Sequence, residues 1–187
     1  GEFVKGFIPN SLFIGLNGTF AMWVGALIED INQKIVLIVP EGKEEEAVTR
    51  LSRVGYDNTV GYLKGGVHTY ANAGGDLKTI TSISGFELAE KYGDVNIVDI
   101  RKPGEYDSEH VVDAMSYPLD YMNENIDTLD KDKTYHVHCA GGYRSVIGIS
   151  LLMKNGYKHL IDVAGGFGAL HETNIPKTNY VCPSTLK

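Results

Sequence analysis

The segment around Cys139 is the part of this chain whose residue types and spacing best suit covalent chemistry. It reads His138-Cys139-Ala140-Gly141-Gly142-Tyr143-Arg144-Ser145. The glycine pair lets the backbone curl with its N–H groups pointing inward, and a helix that follows adds the positive end of its dipole. Such a cradle stabilises a Cys139 thiolate, so no separate general base is required for this nucleophile. Arg144 adds positive charge at the rim or serves as a planar fork for an anion.

The distance along the chain from Cys139 to Arg144 bears on the substrate. Four residues intervene, one fewer than in phosphatase loops of the Cys-x5-Arg type, where the extra residue makes room for a tetrahedral phosphoryl group. The shorter loop suits one extra sulfur atom on the cysteine and therefore favours persulfide chemistry. A dual-specificity phosphatase or an arsenate reductase is the alternative, and clear phosphatase turnover would favour it.

The elements that must position this loop alternate between strands and helices in the second half of the chain. We expect strands at 95–100, 115–117, 135–138 and 160–163, and helices at 84–92, 105–109, 121–129, 145–154 and 166–172. Ser84 and Glu87 are spaced for a capping box at the first of these helices. The alternation is typical of a largely parallel α/β sheet, in which sites lie at the carboxyl ends of strands. Cys139 follows such a strand.

The sequence repeats at an offset of about 100 residues. Three pairs of segments match, namely Ile35–Val39 with Tyr135–His138, Leu51–Tyr56 with Leu152–Tyr157, and Val60–Gly66 with Asp162–Gly166. The first copy has no counterpart of Val95–Arg101. We therefore expect two tandem domains, at 1–75 and 76–187, with the first truncated at its N-terminus, either because the chain is the C-terminal piece of a longer protein or because that copy has lost a strand.

The motifs of the second copy together resemble those of a rhodanese-like sulfurtransferase domain. They are Asp99-Ile100-Arg101, Glu105-Tyr106, His110-Val111-Val112-Asp113-Ala114, the Cys139–Ser145 loop and Gly165-Gly166. Residues 2–73 resemble the later part of the same domain. The resemblance implies an α/β fold with two tandem rhodanese-like domains, each a mainly parallel sheet flanked by helices.

The same resemblance implies a mechanism and a set of binding residues. Cys139 would attack a sulfane donor, carry the sulfur as a persulfide, and pass it to a thiol, sulfite or similar acceptor. The outer sulfur would be held by the backbone N–H groups of the loop residues Ala140, Gly141, Gly142, Tyr143, Arg144 and Ser145. Many such loops carry arginine directly after the cysteine, whereas this one has Ala140. The lower positive charge makes a small-molecule or protein persulfide a competitor of thiosulfate as the donor.

The first copy departs from the family pattern where the cysteine should stand. Its strand runs into Pro40-Glu41-Gly42-Lys43-Glu44-Glu45-Glu46, which contains no cysteine. We expect this copy to be catalytically silent, with a structural or interface role, and Glu44–Glu46 to begin a helix. A silent copy followed by an active one also resembles the tail of metallo-β-lactamase-fold persulfide dioxygenase–rhodanese fusion proteins. On that resemblance iron belongs only to an upstream domain, and the alternative function is a persulfide-sensing or docking module that regulates it.

Structural support for the site is expected from the motif residues Asp99, Arg101, Glu105 and His110. We expect a salt bridge between Arg101 and Glu105 at the end of the strand, and a packed, hydrogen-bonded His110. His136 and His138 alternate along a strand and are expected to be packing residues, so no metal site is predicted. Cys182 is expected to be a bystander rather than a resolving thiol for Cys139.

Composition narrows the functional classes. The 187 residues include 17 Lys and Arg against 24 Asp and Glu, a net charge of −7, which disfavours generic binding to nucleic acid or anionic membranes. No apolar run approaches the ~20 residues of a membrane span, and no signal-peptide pattern is present. Two cysteines are too few for a disulfide framework and suggest the cytoplasm. The expected partners are small sulfur donors and thiol acceptors, with an upstream domain of the same polypeptide if the fusion resemblance holds.

Overall fold

The computed structural model describes residues 1–185, which divide into two compact units. The first unit comprises Gly1–Pro9 and Ile14–Thr79, and the second comprises Asn10–Phe13 and the residues from Ile80 onward. The segment 10–13 is held within the second unit by the backbone N–H of Phe13, which donates to the Ser150 hydroxyl at 2.9 Å. Within residues 1–185, none of the helices combines the length and the apolar character that a bilayer span requires.

The first unit is built on a small parallel sheet. Its elements are α1 (Glu2–Lys5), α2 (Phe20–Leu27), β1 (Ile35–Leu37), α3 (Glu44–Ser52), β2 (Thr59–Tyr62) and α4 (Gly66–Asn72). Strands β1 and β2 pair in parallel, and Phe20, Val24, Leu51 and Tyr56 form the buried core around them. Helix α3 begins at Glu44, so three glutamates occupy its first turn, where they complement the helix dipole. The predicted helix start at Glu44–Glu46 is confirmed.

The second unit contains a five-stranded, wholly parallel sheet in the order β3-β7-β6-β4-β5. Its elements are β3 (Thr81–Ile83), α5 (Gly85–Glu90), β4 (Asn96–Asp99), α6 (Pro103–Ser108), β5 (Met115–Ser116), a 3-10 turn at Leu119–Tyr121, β6 (Tyr135–His138), α7 (Tyr143–Lys154), β7 (Leu160–Val163), α8 (Gly166–His171) and a 3-10 turn at Pro183–Thr185. All four residues of β6 are buried, because strands flank it on both sides and helices cover its faces.

The internal repeat is visible in the order of the elements. The series β1, α3, β2, α4 in the first unit corresponds to β6, α7, β7, α8 in the second. In each series the last helix begins at a glycine pair with left-handed backbone, Gly65-Gly66 at φ +76° and +58° and Gly165-Gly166 at φ +78° and +57°. The structure therefore confirms that the two copies share one α/β plan.

Most expected elements of the second unit are present, with one exception. The capping box at Ser84 is formed, since the Glu87 N–H donates to the Ser84 hydroxyl and the Glu87 carboxylate accepts the Ser84 N–H. The helix predicted at 121–129 is wrong, because this segment is a series of turns after the 3-10 turn at 119–121. Side chains of this segment donate hydrogen bonds to nearby main-chain carbonyls; for example, Thr128 Oγ1 donates to Asn125 O at 2.8 Å. Such local bonds compete with helical hydrogen bonding.

Helix α8 approaches the loop that follows β6 more closely than a side chain would allow. Phe167 N–H donates to Cys139 O at 2.6 Å and Gly168 N–H donates to Ala140 O at 3.0 Å. A Cβ at Gly166 would overlap the Cys139 carbonyl oxygen and lie 2.8 Å from the Ala140 carbonyl carbon. The glycine at this position is therefore required by the backbone-to-backbone contact as well as by its positive φ.

Replacing Gly166 with alanine should destabilise the second unit by about 2–3 kcal/mol, because backbone atoms must move and φ is unfavourable for a side chain. Chemical denaturation monitored by circular dichroism measures this loss. The matched control is Gly104→Ala on α6, where a Cβ would meet nothing within 4 Å and stability should change by less than about 1 kcal/mol. Equal effects of the two substitutions would contradict the packing argument.

Candidate active site

Cys139 is the first residue after β6, at the carboxyl end of a central strand. Its fractional exposure is 1%, and its Sγ accepts a hydrogen bond from Gly142 N–H at 3.2 Å. Gly142 adopts φ +90°, a left-handed conformation that L side chains rarely adopt. This glycine turns the chain back over the sulfur before α7 begins at Tyr143. The structure thus places the Cys139 sulfur at the start of a twelve-residue helix, whose dipole favours negative charge there.

The carbonyl groups of the loop are directed away from the sulfur by α8. The N–H groups of Phe167 and Gly168 donate hydrogen bonds to the carbonyl oxygens of Cys139 and Ala140. These two oxygens are therefore bonded to α8 rather than turned toward the sulfur. A Cβ at Gly142 would lie 3.2 Å from Gly165 N, so the two glycine-rich turns pack against each other. This arrangement leaves N–H groups, rather than carbonyl oxygens, as the dipoles available to an anion on Cys139.

Arg144 is bound to a carboxylate in this structure. Its Nη1 and Nη2 donate to the two Glu105 oxygens at 2.6 and 2.8 Å, a bidentate pair between α7 and α6. The Arg144 hydrogen bond lowers the pKa of Glu105, and the same bond raises the pKa of Arg144. The expected Arg101–Glu105 salt bridge is therefore wrong, because Glu105 pairs with Arg144. The guanidinium charge near the loop is compensated by this carboxylate.

Arg101 pairs with Asp99 instead. Its Nη2 lies 2.6 Å from Asp99 Oδ2, donates to Glu109 O at 2.8 Å, and its guanidinium lies 3.9 Å from the centre of the Phe167 ring. Asp99 is fully buried, and a buried carboxylate requires a close partner. Asp99 and Arg101 therefore support the end of β4 and the position of Phe167 on α8.

Three histidines of this unit, His110, His136 and His138, are packed side chains. His110 stacks on Tyr106 with ring centres 3.7 Å apart, and its Nδ1 lies 2.7 Å from Tyr106 O. His136 and His138 are buried, and burial lowers the pKa of both. His138 Nδ1 lies 3.3 Å from Cys139 O. Over residues 1–185, His, Cys, Asp and Glu side chains form no cluster that could hold a metal ion.

Two further polar groups lie near Cys139, and one of them was not predicted. Ser145, on the first turn of α7, is buried with its Oγ 3.8 Å from Cys139 Sγ. Asp162, on β7, is 4% exposed, and burial raises the pKa of its carboxyl. In the sequence analysis, Asp162 is only the first residue of the repeated segment Asp162–Gly166, and no role at the site is predicted for it. An acidic residue inside an otherwise apolar strand next to the cysteine strand is the signal that could have identified it.

A surface cleft of about 350 Å³ opens beside the Glu105–Arg144 pair, and Arg101, Phe167 and Tyr180 contribute to its walls.

The second cysteine, Cys182, is exposed, with its Sγ 3.0 Å from Ser184 Oγ. The Ser184 hydroxyl lowers the pKa of the Cys182 thiol. The expectation that Cys182 is a bystander stays a prediction.

Known proteins are similar to this chain in sequence. The family model of the rhodanese-like domain matches residues 1–73 and 86–173. Thiosulfate sulfurtransferase GlpE of Coxiella burnetii is 30% identical over 90 residues, which are 48% of this chain and 83% of that protein. Thiosulfate sulfurtransferase PspE of Escherichia coli is 37% identical over 82 residues, 43% of this chain and 75% of that protein.

A rhodanese-related protein of Thermoplasma volcanium, known from its crystal structure, is 28% identical, covers 52% of this chain and 97% of its own, and has a TM-score of 0.49. These matches run through rhodanese-like domains and lend no support to the persulfide dioxygenase fusion, which stays a hypothesis. With the family model matching most of its residues in two regions, this chain belongs to the rhodanese-like family.

Proposed function

We propose that this protein is a sulfurtransferase that moves a sulfane sulfur through a persulfide on Cys139. The observation that carries the proposal is the hydrogen bond from Gly142 N–H to Cys139 Sγ at 3.2 Å, at the N-terminus of α7. Two of the relatives are thiosulfate sulfurtransferases, which supports the same reaction class here. Sulfur transfer by this route needs no resident cofactor, because the sulfur travels covalently on the cysteine.

The reaction consists of two displacements at sulfur. The Cys139 thiolate attacks the sulfane sulfur of the donor, a new S–S bond forms, and the donor's own S–S bond breaks with its electron pair leaving on sulfite or on a thiolate. The acceptor, a thiol or sulfite, then attacks the outer sulfur, and Cys139 leaves as a thiolate. Loop N–H groups stabilise the anion at each stage, as fixed dipoles do for developing charge in other active sites.

The surroundings of the loop favour a donor with one accessible terminal sulfur and little charge. Cys139 is almost fully buried, so only a small group can reach its sulfur without displacing the loop. Ala140 supplies no charge, and the Arg144 charge is compensated by Glu105. A low-molecular-weight or protein persulfide therefore suits the site better than the thiosulfate dianion does.

The first unit has no cysteine in its corresponding loop, and we propose that it is catalytically silent. A protein with one silent and one active copy in the cytoplasm, where thiols stay reduced, would meet both persulfides and thiol acceptors. The silent copy also favours one alternative, a persulfide-sensing or docking module that regulates an upstream persulfide dioxygenase-type domain. Such a module would accept sulfur on Cys139 without turning over, so steady-state turnover with excess donor and acceptor distinguishes the two.

Replacing Cys139 with serine should lower sulfur transfer by at least about a thousandfold, because the covalent carrier is removed. Wild-type protein incubated with glutathione persulfide should gain the mass of one sulfur atom on the peptide that contains Cys139. Intact-mass and peptide mass spectrometry measure the adduct, and a coupled assay measures turnover. A parallel incubation with thiosulfate compares the donor classes.

The matched control is Cys182→Ser, which removes the other cysteine and should retain both adduct and turnover. Undiminished turnover of Cys139→Ser would refute the proposed function. An adduct on Cys139 with no turnover would favour the sensing or docking module. Phosphatase turnover abolished by Cys139→Ser would favour phosphate chemistry instead.

Replacing Glu105 with glutamine should improve the use of thiosulfate. The substitution removes the carboxylate that holds Arg144, so the guanidinium charge becomes available to an anionic donor. We expect KM for thiosulfate to fall about fivefold, equivalent to ~1 kcal/mol, with a smaller change for glutathione persulfide. Steady-state kinetics with both donors provide the measurement. An equal change for both donors would show that Glu105 does not act through charge.

The Glu105 carboxylate also gives this pair a predictable pH dependence. Because its pKa in the folded protein is lowered, the pair is present above the ordinary pKa of a glutamate and is lost as pH falls through the lowered value. Wild-type KM for thiosulfate should therefore approach that of Glu105→Gln only in acid, below the ordinary glutamate range, and stay constant from there to neutral pH.

A further inference from the structure

Asp162 is a buried carboxyl group that the proposed sulfur transfer does not use. It lies on β7 with 4% of its surface exposed. Its Oδ2 accepts a hydrogen bond from the Ser82 hydroxyl at 3.1 Å, whereas its Oδ1 is buried with no partner of hydrogen-bond length among the described residues. A buried carboxylate oxygen without a donor is costly, and the cost falls when the group takes up a proton.

A line of polar groups connects this carboxyl to the nucleophile on one side and to the surface on the other. The Ser145 hydroxyl is near enough to Asp162 to lower the pKa of that carboxyl, and its Oγ lies 3.8 Å from Cys139 Sγ. Ser82, on the edge strand β3, is exposed. The order from inside to outside is therefore Cys139, Ser145, Asp162 and Ser82.

Among the described residues, the side chains that β3, β6 and α7 place next to this carboxyl are uncharged. Strand β3 presents Ser82, which is paired in register with Asp162. Strand β6 presents Val137, the apolar partner of Asp162 in the sheet, and α7 presents Ser145. Burial raises the pKa of Asp162, and the two hydroxyls only partly oppose that rise. The pKa of Asp162 therefore lies above that of an ordinary aspartate.

We propose that Asp162 receives the proton of the Cys139 thiol through the Ser145 hydroxyl. The proposal rests on the proposed function and specifies how the resting thiol enters the reaction. It replaces the sequence-based expectation that Cys139 needs no separate base. The Cys139 S–H bond breaks as its proton moves to Ser145 Oγ, and the proton of the Ser145 hydroxyl moves to Asp162. The product is a thiolate that faces the Ser145 O–H, next to a neutral carboxylic acid.

The charge balance explains why this route suits a buried sulfur. Before the shift the one negative charge is on Asp162, and after it the one negative charge is on Cys139, so the net charge of the buried site does not change. The Gly142 N–H, which already donates to Sγ, then stabilises the charge in its new position. Because the acceptor step returns a thiolate, the proton shift is needed for the first loading of reduced protein and not for later turnovers.

The test compares sulfur loading of reduced wild-type chain with that of Asp162→Asn and Ser145→Ala at neutral pH. Single-turnover loading with glutathione persulfide should slow by about a hundredfold or more in both variants, the scale of a lost proton-transfer partner. For Asp162→Asn, the donor concentration for half-maximal rate and the steady-state turnover should stay near the wild-type values. Ser150→Ala is the matched control, because Ser150 is an equally buried serine on α7 whose hydroxyl donates to Ile147 O.

Difference infrared spectroscopy of loaded minus reduced protein provides the second readout. Wild type should lose the S–H stretch and gain the C=O stretch of a protonated carboxyl, and Asp162→Asn should lack that gain. Loading of both variants at the wild-type rate, or loss of the S–H stretch with no carboxyl band assignable to Asp162, would overturn the proposal while leaving sulfur transfer intact. Absence of any sulfur adduct on wild type would instead overturn the proposed function, and this inference with it.

Discussion

The arrangement of the site depends on how the peptide groups after Cys139 are oriented. A peptide unit cannot present its carbonyl and its N–H to the same side, so engagement of the carbonyls by α8 frees the opposite side of the loop for N–H groups. The N–H groups of Phe167 and Gly168 provide this engagement, and they reach the loop only because Gly166 has no side chain. The electrostatics of the sulfur site are therefore set by packing between two segments that are far apart in sequence.

Charged side chains contribute less to this site than the dipoles do. Asp99 with Arg101 and Glu105 with Arg144 form close pairs around the loop, so the charges of each pair largely cancel at the sulfur. Asp162 differs, because hydroxyl groups and an apolar side chain lie next to it. Burial in such surroundings raises the pKa of this carboxyl. Its charge is therefore not balanced by a close ion pair of the kind that Asp99 and Glu105 form.

The sequence predicts those parts of the fold that depend on short stretches of chain. The strand before Cys139, the capping box at Ser84 and the glycine pair after β7 follow from local patterns, and the structure confirms them. The residues that form ion pairs with one another could not be predicted in this way. Glu105 contacts Arg144 only because α6 and α7 pack against each other in the folded chain. The same holds for Asp162, whose position near Cys139 depends on the register of β7 between β3 and β6. The turns at 121–129 were missed because side-chain bonds such as that of Thr128 replace helical ones.

Comparison of the two copies shows which features of the glycine-rich turn occur in both units and which occur only beside Cys139. Both glycine pairs keep the same left-handed backbone, so this conformation belongs to the strand-to-helix turn itself. The close approach does not recur, since a Cβ at Gly66 would meet nothing within 4 Å whereas one at Gly166 would overlap the Cys139 carbonyl. The first copy lacks both the cysteine and the tight helix–loop contact, while it has the same order of strands, helices and turns. This pattern indicates that the glycine conformation serves folding in both copies, and that the tight contact serves the sulfur site in the second copy alone.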